Sequence, residues 1–259
     1  MARGAVSGYP RPFSSRATDF SGDLNRTSNL NRTSREEKRR MKIGSGEKLL
    51  FIGDSITDCG RARPEGEGSF GALGTGYVAY VDGLLQAVYP ELGIRVVNKG
   101  VSGNTVRDLK ARWKEDVIDQ KPDWVSIMIG INDVWRQYDL PFMKEKHVYL
   151  DEYEATLRSL VLETKPLVKG IILMTPFYIE GNEQDPMRRT MDQYGRVVKQ
   201  IAEETNSLFV DTQAAFNEVL KTLYPAALAW DRVHPSVAGH MILARAFLRE
   251  IGFEWVRSR

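Results

Sequence analysis

The run Leu49-Leu50-Phe51-Ile52, followed at once by Gly53-Asp54-Ser55, constrains this chain more than any other stretch. An unbroken apolar run closed by a turn residue reads as a strand buried on both faces, the pattern of a central strand in a parallel sheet. Ligands of open α/β sheets sit just beyond the carboxyl ends of such strands. Ser55 therefore stands where chemistry is expected. A helix starting there would turn its unpaired N–H groups and positive dipole end toward the same spot. Ser55-Ile56-Thr57-Asp58 also fits a capping box, so Ser55 has an alternative reading as a helix cap.

The rest of the chain supplies four more strands, at Ile94–Asn98, Asp123–Ile129, Gly170–Met174 and Leu208–Asp211. Helices are expected at Tyr77–Tyr89, to about Trp113, at 151–164, to about Asn206, at 212–222 and at Ser236–Glu250. Long loops are expected at Gly60–Gly76, 134–150 and 177–186. Strands that alternate with helices build right-handed βαβ units and a parallel sheet covered on both faces.

Residues 1–40 differ in kind. They are rich in Ser, Arg, Asn, Gly and Thr, repeat Leu-Asn-Arg-Thr-Ser at 24–28 and 30–34, and show no periodicity. They read as a disordered leader or appended extension, with Met41 as a natural start and 41–259 as the folded domain. The net charge of +2 is uneven, with nine Lys or Arg and four Asp or Glu before residue 41, leaving 27 basic and 30 acidic residues after it. A slightly acidic body carries no nucleic-acid footprint. No apolar run reaches the ~20 residues of a membrane span. With no apolar signal region, and a single cysteine that excludes an intrachain disulfide, the expected location is the cytoplasm. That cysteine, Cys59, reads as a buried, inert thiol.

Three strands end in small polar loops, Gly53-Asp54-Ser55, Gly100–Asn104 and Gly130–Asp133, which a parallel sheet gathers on one edge. A nucleophilic serine needs a base, and the chain has three histidines: His147, His234 and His240. Only His234 has a carboxylate, Asp231, placed to orient it across one tight turn. His147 and His240 read as surface or satisfied core residues. Donors for a developing oxyanion are available in the N–H groups of Ser55 and Gly103 and in the Asn132 amide. Asp54, Asp58 and Asp133 read as structural. No His/Cys spacing suits a metal, and the chemistry needs no cofactor.

These four blocks, Gly53-Asp54-Ser55, Gly103-Asn104, Gly130-Ile131-Asn132-Asp133 and Asp231-Arg232-Val233-His234, resemble those of the SGNH, or GDSL-type, serine hydrolases. Within that family the chain is most similar to bacterial acetylxylan esterases. The resemblance implies a three-layer αβα, flavodoxin-like fold with a five-stranded parallel sheet of order 2-1-3-4-5. It also implies Ser55 as nucleophile, His234 as base, Asp231 as its orienting acid, and Ser55, Gly103 and Asn132 as the oxyanion hole. The implied substrate is an acetylated xylo-oligosaccharide.

Trp135, Tyr138, Phe142, Tyr149, Phe177, Tyr178 and Trp230 fall in loops expected to rim the site. Of these, Trp230, Trp135 and Tyr178 are the candidates for sugar contact. The alternatives are a lysophospholipase, thioesterase or general carboxylesterase, and a non-catalytic carbohydrate- or nucleotide-binding module. No nucleic-acid or membrane partner is expected. Phe253 and Trp255, after the last helix, dock either on the body or on a neighbour in a homo-oligomer.

Overall fold

The computed structural model describes residues 40–256. The expectation of a disordered leader at 1–40 therefore lies, apart from Arg40, outside the described residues. Five parallel strands, β1 (Lys48–Gly53), β2 (Arg95–Asn98), β3 (Trp124–Met128), β4 (Gly170–Met174) and β5 (Leu208–Val210), form one sheet of order β2-β1-β3-β4-β5. The α/β class and the 2-1-3-4-5 order match expectation.

β1 is central because its sequence permits nothing else. Leu49, Leu50, Phe51 and Ile52 are all fully buried. Phe51 packs on Tyr77 and Phe247, with ring centroids 5.7 and 4.9 Å away. Burying each such side chain contributes about 1.5–3 kcal/mol, which a strand with one wet face would forgo at every second position.

Helix α1 is the short Ser55–Asp58. It is followed by α2 (Tyr77–Val88), α3 (Val106–Trp113), α4 (Ile131–Asp139), α5 (Leu150–Thr164), α6 (Pro186–Thr205), α7 (Thr212–Leu220), α8 (Pro225–Leu228) and α9 (Val237–Glu250). α2, α7 and α9 pack together on one face of the sheet, and α3, α4, α5 and α6 form the chain of contacts on the other. Pro90 follows the end of α2, as its missing N–H requires. Beyond α3 the backbone widens into a π-helical turn at Lys114–Ile118.

The register sets the active edge. Gly53 of β1 is paired with Met128 of β3, and Phe51 with Asn98 of β2. The three strands therefore end nearly level, and the loops that follow lie side by side. Val101 N–H donates to the Gly53 carbonyl (3.0 Å), and Val106 N–H donates to Asp133 Oδ1 (3.0 Å).

Two expectations for this edge are corrected. The segment 134–150 is not all loop, because α4 runs through Asp139. Gly130 holds φ at +131°, which turns the chain within one residue and lets a helix begin immediately. Ile131 and Val134 are buried, with Trp135 partly so. These positions continue a 3.6-residue period through the stretch read as irregular. Phe177 is not at the rim. It is buried, with its ring 4.5 Å from that of Phe216.

The tail after α9 turns back on the body, where Phe253 is buried against Tyr89 at a centroid distance of 5.4 Å. Trp255 lies half exposed on Phe253. Among the described residues no helix is long and apolar enough to cross a membrane.

Candidate active site

Ser55 is the first residue of α1, not its cap. The cap is Asp54, whose Oδ1 accepts from Ile56 N–H at 3.0 Å. That frees the Ser55 hydroxyl, which lies 3.0 Å from His234 Nε2. The capping reading of Ser55 is thereby excluded.

His234 is carried by a tight turn whose Arg232 sits in the left-handed region at φ +62°. Asp231 Oδ1 closes this turn by accepting from the N–H groups of Val233 (2.9 Å) and His234 (2.8 Å), an Asx-type arrangement. Its other oxygen, Oδ2, lies 2.7 Å from His234 Nδ1. A carboxylate only accepts, so Nδ1 carries the ring proton and Nε2 presents its lone pair to the Ser55 hydroxyl. Burial works against the charge on Asp231. The bonds from the His234 ring and from the two backbone N–H groups outweigh it and hold the carboxyl below its ordinary range.

The donors expected to face an oxyanion sit beside this pair. Gly103 takes φ +82°, a conformation that favours glycine, and is exposed. Neither its N–H nor that of Ser55 meets an acceptor among the described residues. Asn132, in the first turn of α4, has its amide orientation fixed from both ends. Arg136, which has only donors, faces Oδ1 at 3.2 Å, so Nδ2 points the other way, to the Asn104 carbonyl at 3.0 Å. The second Nδ2 hydrogen has no partner among the described residues. The arrangement can take a proton from an alcohol, hold the resulting cationic ring, and meet negative charge on a carbonyl oxygen with three N–H donors.

The aromatic candidates separate. Trp135 packs edge-on against the His234 ring at a centroid distance of 5.9 Å, with the Arg136 guanidinium 4.9 Å over its own ring. Trp230, next to Asp231, is 85% exposed. Tyr178 is half-buried on the segment tied to the turn that carries His234 by the Ile179 N–H to Arg232 carbonyl bond of 2.9 Å. The Tyr138 hydroxyl is engaged on α6, bonding Thr190 Oγ1 and the Pro186 carbonyl.

The other histidines are satisfied inside the fold. His147 bonds the Leu140 carbonyl and the Tyr149 hydroxyl. His240 Nδ1 accepts from Tyr77 N–H at 3.2 Å, and burial pushes its ring down to about 4. Cys59 is half-buried rather than buried, 3.5 Å from both His240 Nε2 and Thr75 Oγ1. Among the described residues no cluster of three His, Cys, Asp or Glu is placed to hold a metal ion.

Two buried carboxyls, Asp54 and Asp133, lie among the polar groups beneath the site. Both bond backbone as expected, Asp54 through Ile56 N–H and Asp133 through Val106 N–H. Asp133 Oδ2 has no hydrogen-bond partner among the described residues. Burial pushes both carboxyls up to about 7; for Asp54 the Ile56 N–H opposes this, and for Asp133 the Val106 N–H does.

An unfolded Asp54 ionises near its ordinary value of 3.8. Between 3.8 and about 7 the folded chain holds a proton that the unfolded chain has released, so this group's contribution to stability falls as the pH rises through that window. Asp54→Asn keeps the capping oxygen and removes the titration. We expect the variant to gain stability relative to the parent as the pH rises from about 4 to about 7. Urea midpoints at both ends of the range measure this, and an unchanged gap refutes it.

Comparison with known proteins places this geometry. The model of the GDSL-like lipase/acylhydrolase family matches residues 51–242. The acetylxylan esterase of Geobacillus stearothermophilus is 98% identical over 219 residues, which is 85% of this chain and 100% of that protein. The crystal structure of Axe2, an acetylxylan esterase from the same organism, superposes with a TM-score of 0.84 at 98% identity, covering 85% of this chain and 100% of the other. LAE5, an alpha/beta hydrolase from the metagenome of Lake Arreo in Spain, has a TM-score of 0.81 at 54% identity, covering 82% and 98%.

Proposed function

As the chain belongs to the GDSL-like lipase/acylhydrolase family, we propose that it is a serine esterase removing acetyl groups from acetylated xylo-oligosaccharides through an acyl-Ser55 intermediate. The observation that carries the mechanism is the continuous chain Ser55 Oγ–His234 Nε2–His234 Nδ1–Asp231 Oδ2, at 3.0 and 2.7 Å.

In the proposed cycle His234 accepts the Ser55 proton as Oγ attacks the acetyl carbonyl. The tetrahedral oxyanion faces the N–H groups of Ser55 and Gly103 and the Asn132 amide. Collapse breaks the ester bond, and imidazolium gives its proton to the departing sugar oxygen. His234 then deprotonates a water, which attacks the acyl carbon. Acetate leaves, and the Ser55 hydroxyl is restored. Asp231 stays ionised throughout, holding the tautomer that leaves Nε2 free.

The sugar assignment draws on the near-identical acetylxylan esterase and on a mutant of Axe2, also 98% identical, described as an acetyl-xylooligosaccharide esterase. Trp135, Trp230 and Tyr178 are the proposed sugar-facing residues, with Trp135 best supported because it touches the catalytic ring. Catalytic mutants of the Geobacillus enzyme replace a serine, a histidine and an aspartate by alanine, the same three residue types joined here.

A lysophospholipase or thioesterase prefers long acyl chains. We expect hydrolysis of acetyl esters to exceed that of octanoyl esters at least tenfold in kcat/KM, and a reversed order would overturn the substrate assignment. A binding module of either kind lacks a reactive alcohol, so stoichiometric phosphonylation of Ser55 excludes it. We place the activity in the cytoplasm, acting on short imported oligosaccharides, consistent with a lone free thiol. Recovery of the protein mainly from culture medium contradicts that placement.

A further inference from the structure

We infer that Asp58 and Arg112 are positioning residues that hold the oxyanion donors in register with Ser55. The inference rests on the oxyanion role given above to Gly103 and Asn132.

Gly103 cannot hold itself in place. It is exposed, it has a left-handed backbone, and the space where a Cβ would stand is empty to 4 Å. A loop residue with so few contacts stays aimed only if its neighbours are tied down. Both neighbours are tied, from opposite directions and by charged side chains.

On one side, Ser102 gives its N–H (3.0 Å) and its hydroxyl (2.9 Å) to the same oxygen, Asp58 Oδ2. Asp58 is the last residue of α1, the helix that Ser55 begins. Donor and nucleophile are thus fastened to one rigid turn. Arg63 Nη2 binds that oxygen as well, at 2.8 Å. Burial disfavours the Asp58 charge, but these bonds from Arg63 and Ser102 outweigh it and keep the carboxyl below its ordinary range.

On the other side, Asn104 Oδ1 accepts from Arg112 Nε at 2.7 Å, while the Asn104 carbonyl accepts from Asn132 Nδ2. The remaining arms of the Arg112 guanidinium reach in two more directions. Nη1 donates to the Lys99 carbonyl (2.8 Å) and to Asp116 Oδ2 (2.7 Å), and Nη2 donates to the Gly53 carbonyl (3.1 Å). Gly53 lies two residues before Ser55, and Lys99 follows the end of β2. One planar fork therefore joins the end of β1, the end of β2 and the residue that backs the Asn132 amide. A lysine ammonium, a single point charge, cannot bridge these three sites. Oxyanion donors act through preorganisation, and a misplacement of about 1 Å is enough to cost ~100-fold in rate.

The test uses the full chain with Arg112→Lys, Asn104→Ala, the double variant, and Asp58→Asn as a second arm. kcat and KM on an acetyl ester are expressed per active site titrated with an organophosphonate taken to completion. The expected result is a fall in kcat per titrated site of about 10- to 100-fold, with KM within about twofold. The double variant should fall no further than the worse single one, since both changes cut the same tie. Binding of an arylboronic acid, which forms a tetrahedral adduct on Ser55, should weaken by a similar factor. A lower melting temperature and a smaller titratable fraction, with parental kcat per site, would overturn the inference. So would a raised KM at unchanged kcat. Failure of the underlying mechanism has a different signature, namely turnover that survives Ser55→Ala.

Discussion

Ser55→Ala is expected to lower kcat by about 10⁴- to 10⁶-fold while leaving the fold intact. The size follows from what remains. His234 and Asp231 keep their own 2.7 Å bond, and the donors around Gly103 and Asn132 are untouched. Yet nothing in the site is then able to form the covalent intermediate, so only oxyanion stabilisation and substrate binding persist. The structural cost is small. The lost hydroxyl is half-buried and among the described residues bonds only His234, whose side chain is 45% exposed and takes a water in exchange. A change in stability within about 1 kcal/mol is expected. The measurement is kcat on acetylated xylo-oligosaccharide with a parallel thermal melt. Retained turnover in a folded variant rules out the acyl-serine route.

Asp231→Asn should cost about 10⁴-fold in kcat with little change in KM, by a subtler route. The asparagine Oδ1 is still able to accept from the N–H groups of Val233 and His234, so the turn that carries His234 survives. The amide nitrogen now faces Nδ1 and offers it a hydrogen. The ring answers by moving its own proton to Nε2, where it points at the Ser55 hydroxyl and cannot accept from it. The variant thus exchanges a single oxygen for nitrogen and inverts one tautomer. Nitrogen chemical shifts of the His234 ring at neutral pH, compared with the parent, check this directly. A parental tautomer alongside the loss of rate would show that Asp231 acts by charge alone.

The serine, the histidine and the carboxylate that the fold joins are legible in the sequence because each is marked locally. Ser55 ends an apolar run, and Asp231 and His234 stand three apart before a proline. α4 was not legible in the same way. Its start depends on one glycine at φ +131°, and a Gly-Ile-Asn-Asp string reads as turn chemistry unless the period running through Ile131 and Val134 is given more weight. Phe177 was misplaced because position after a strand does not tell which way a side chain faces once the chain turns. The bridging role of Arg112 is not legible. Beyond the nearby Asn104 and Asp116 side chains, its partners are backbone carbonyls of residues 13 and 59 positions away, and only tertiary packing brings those within its reach.

The contact between Ser55 and His234 spans 179 residues of chain. Nothing local in the chain joins such a pair, so its meeting depends on the tertiary assembly of the strands between its ends. A nascent polypeptide still short of its final helix carries an inert alcohol where the mature protein carries a reactive one. Hydrolytic competence is then a report on completed assembly rather than a property of any one segment.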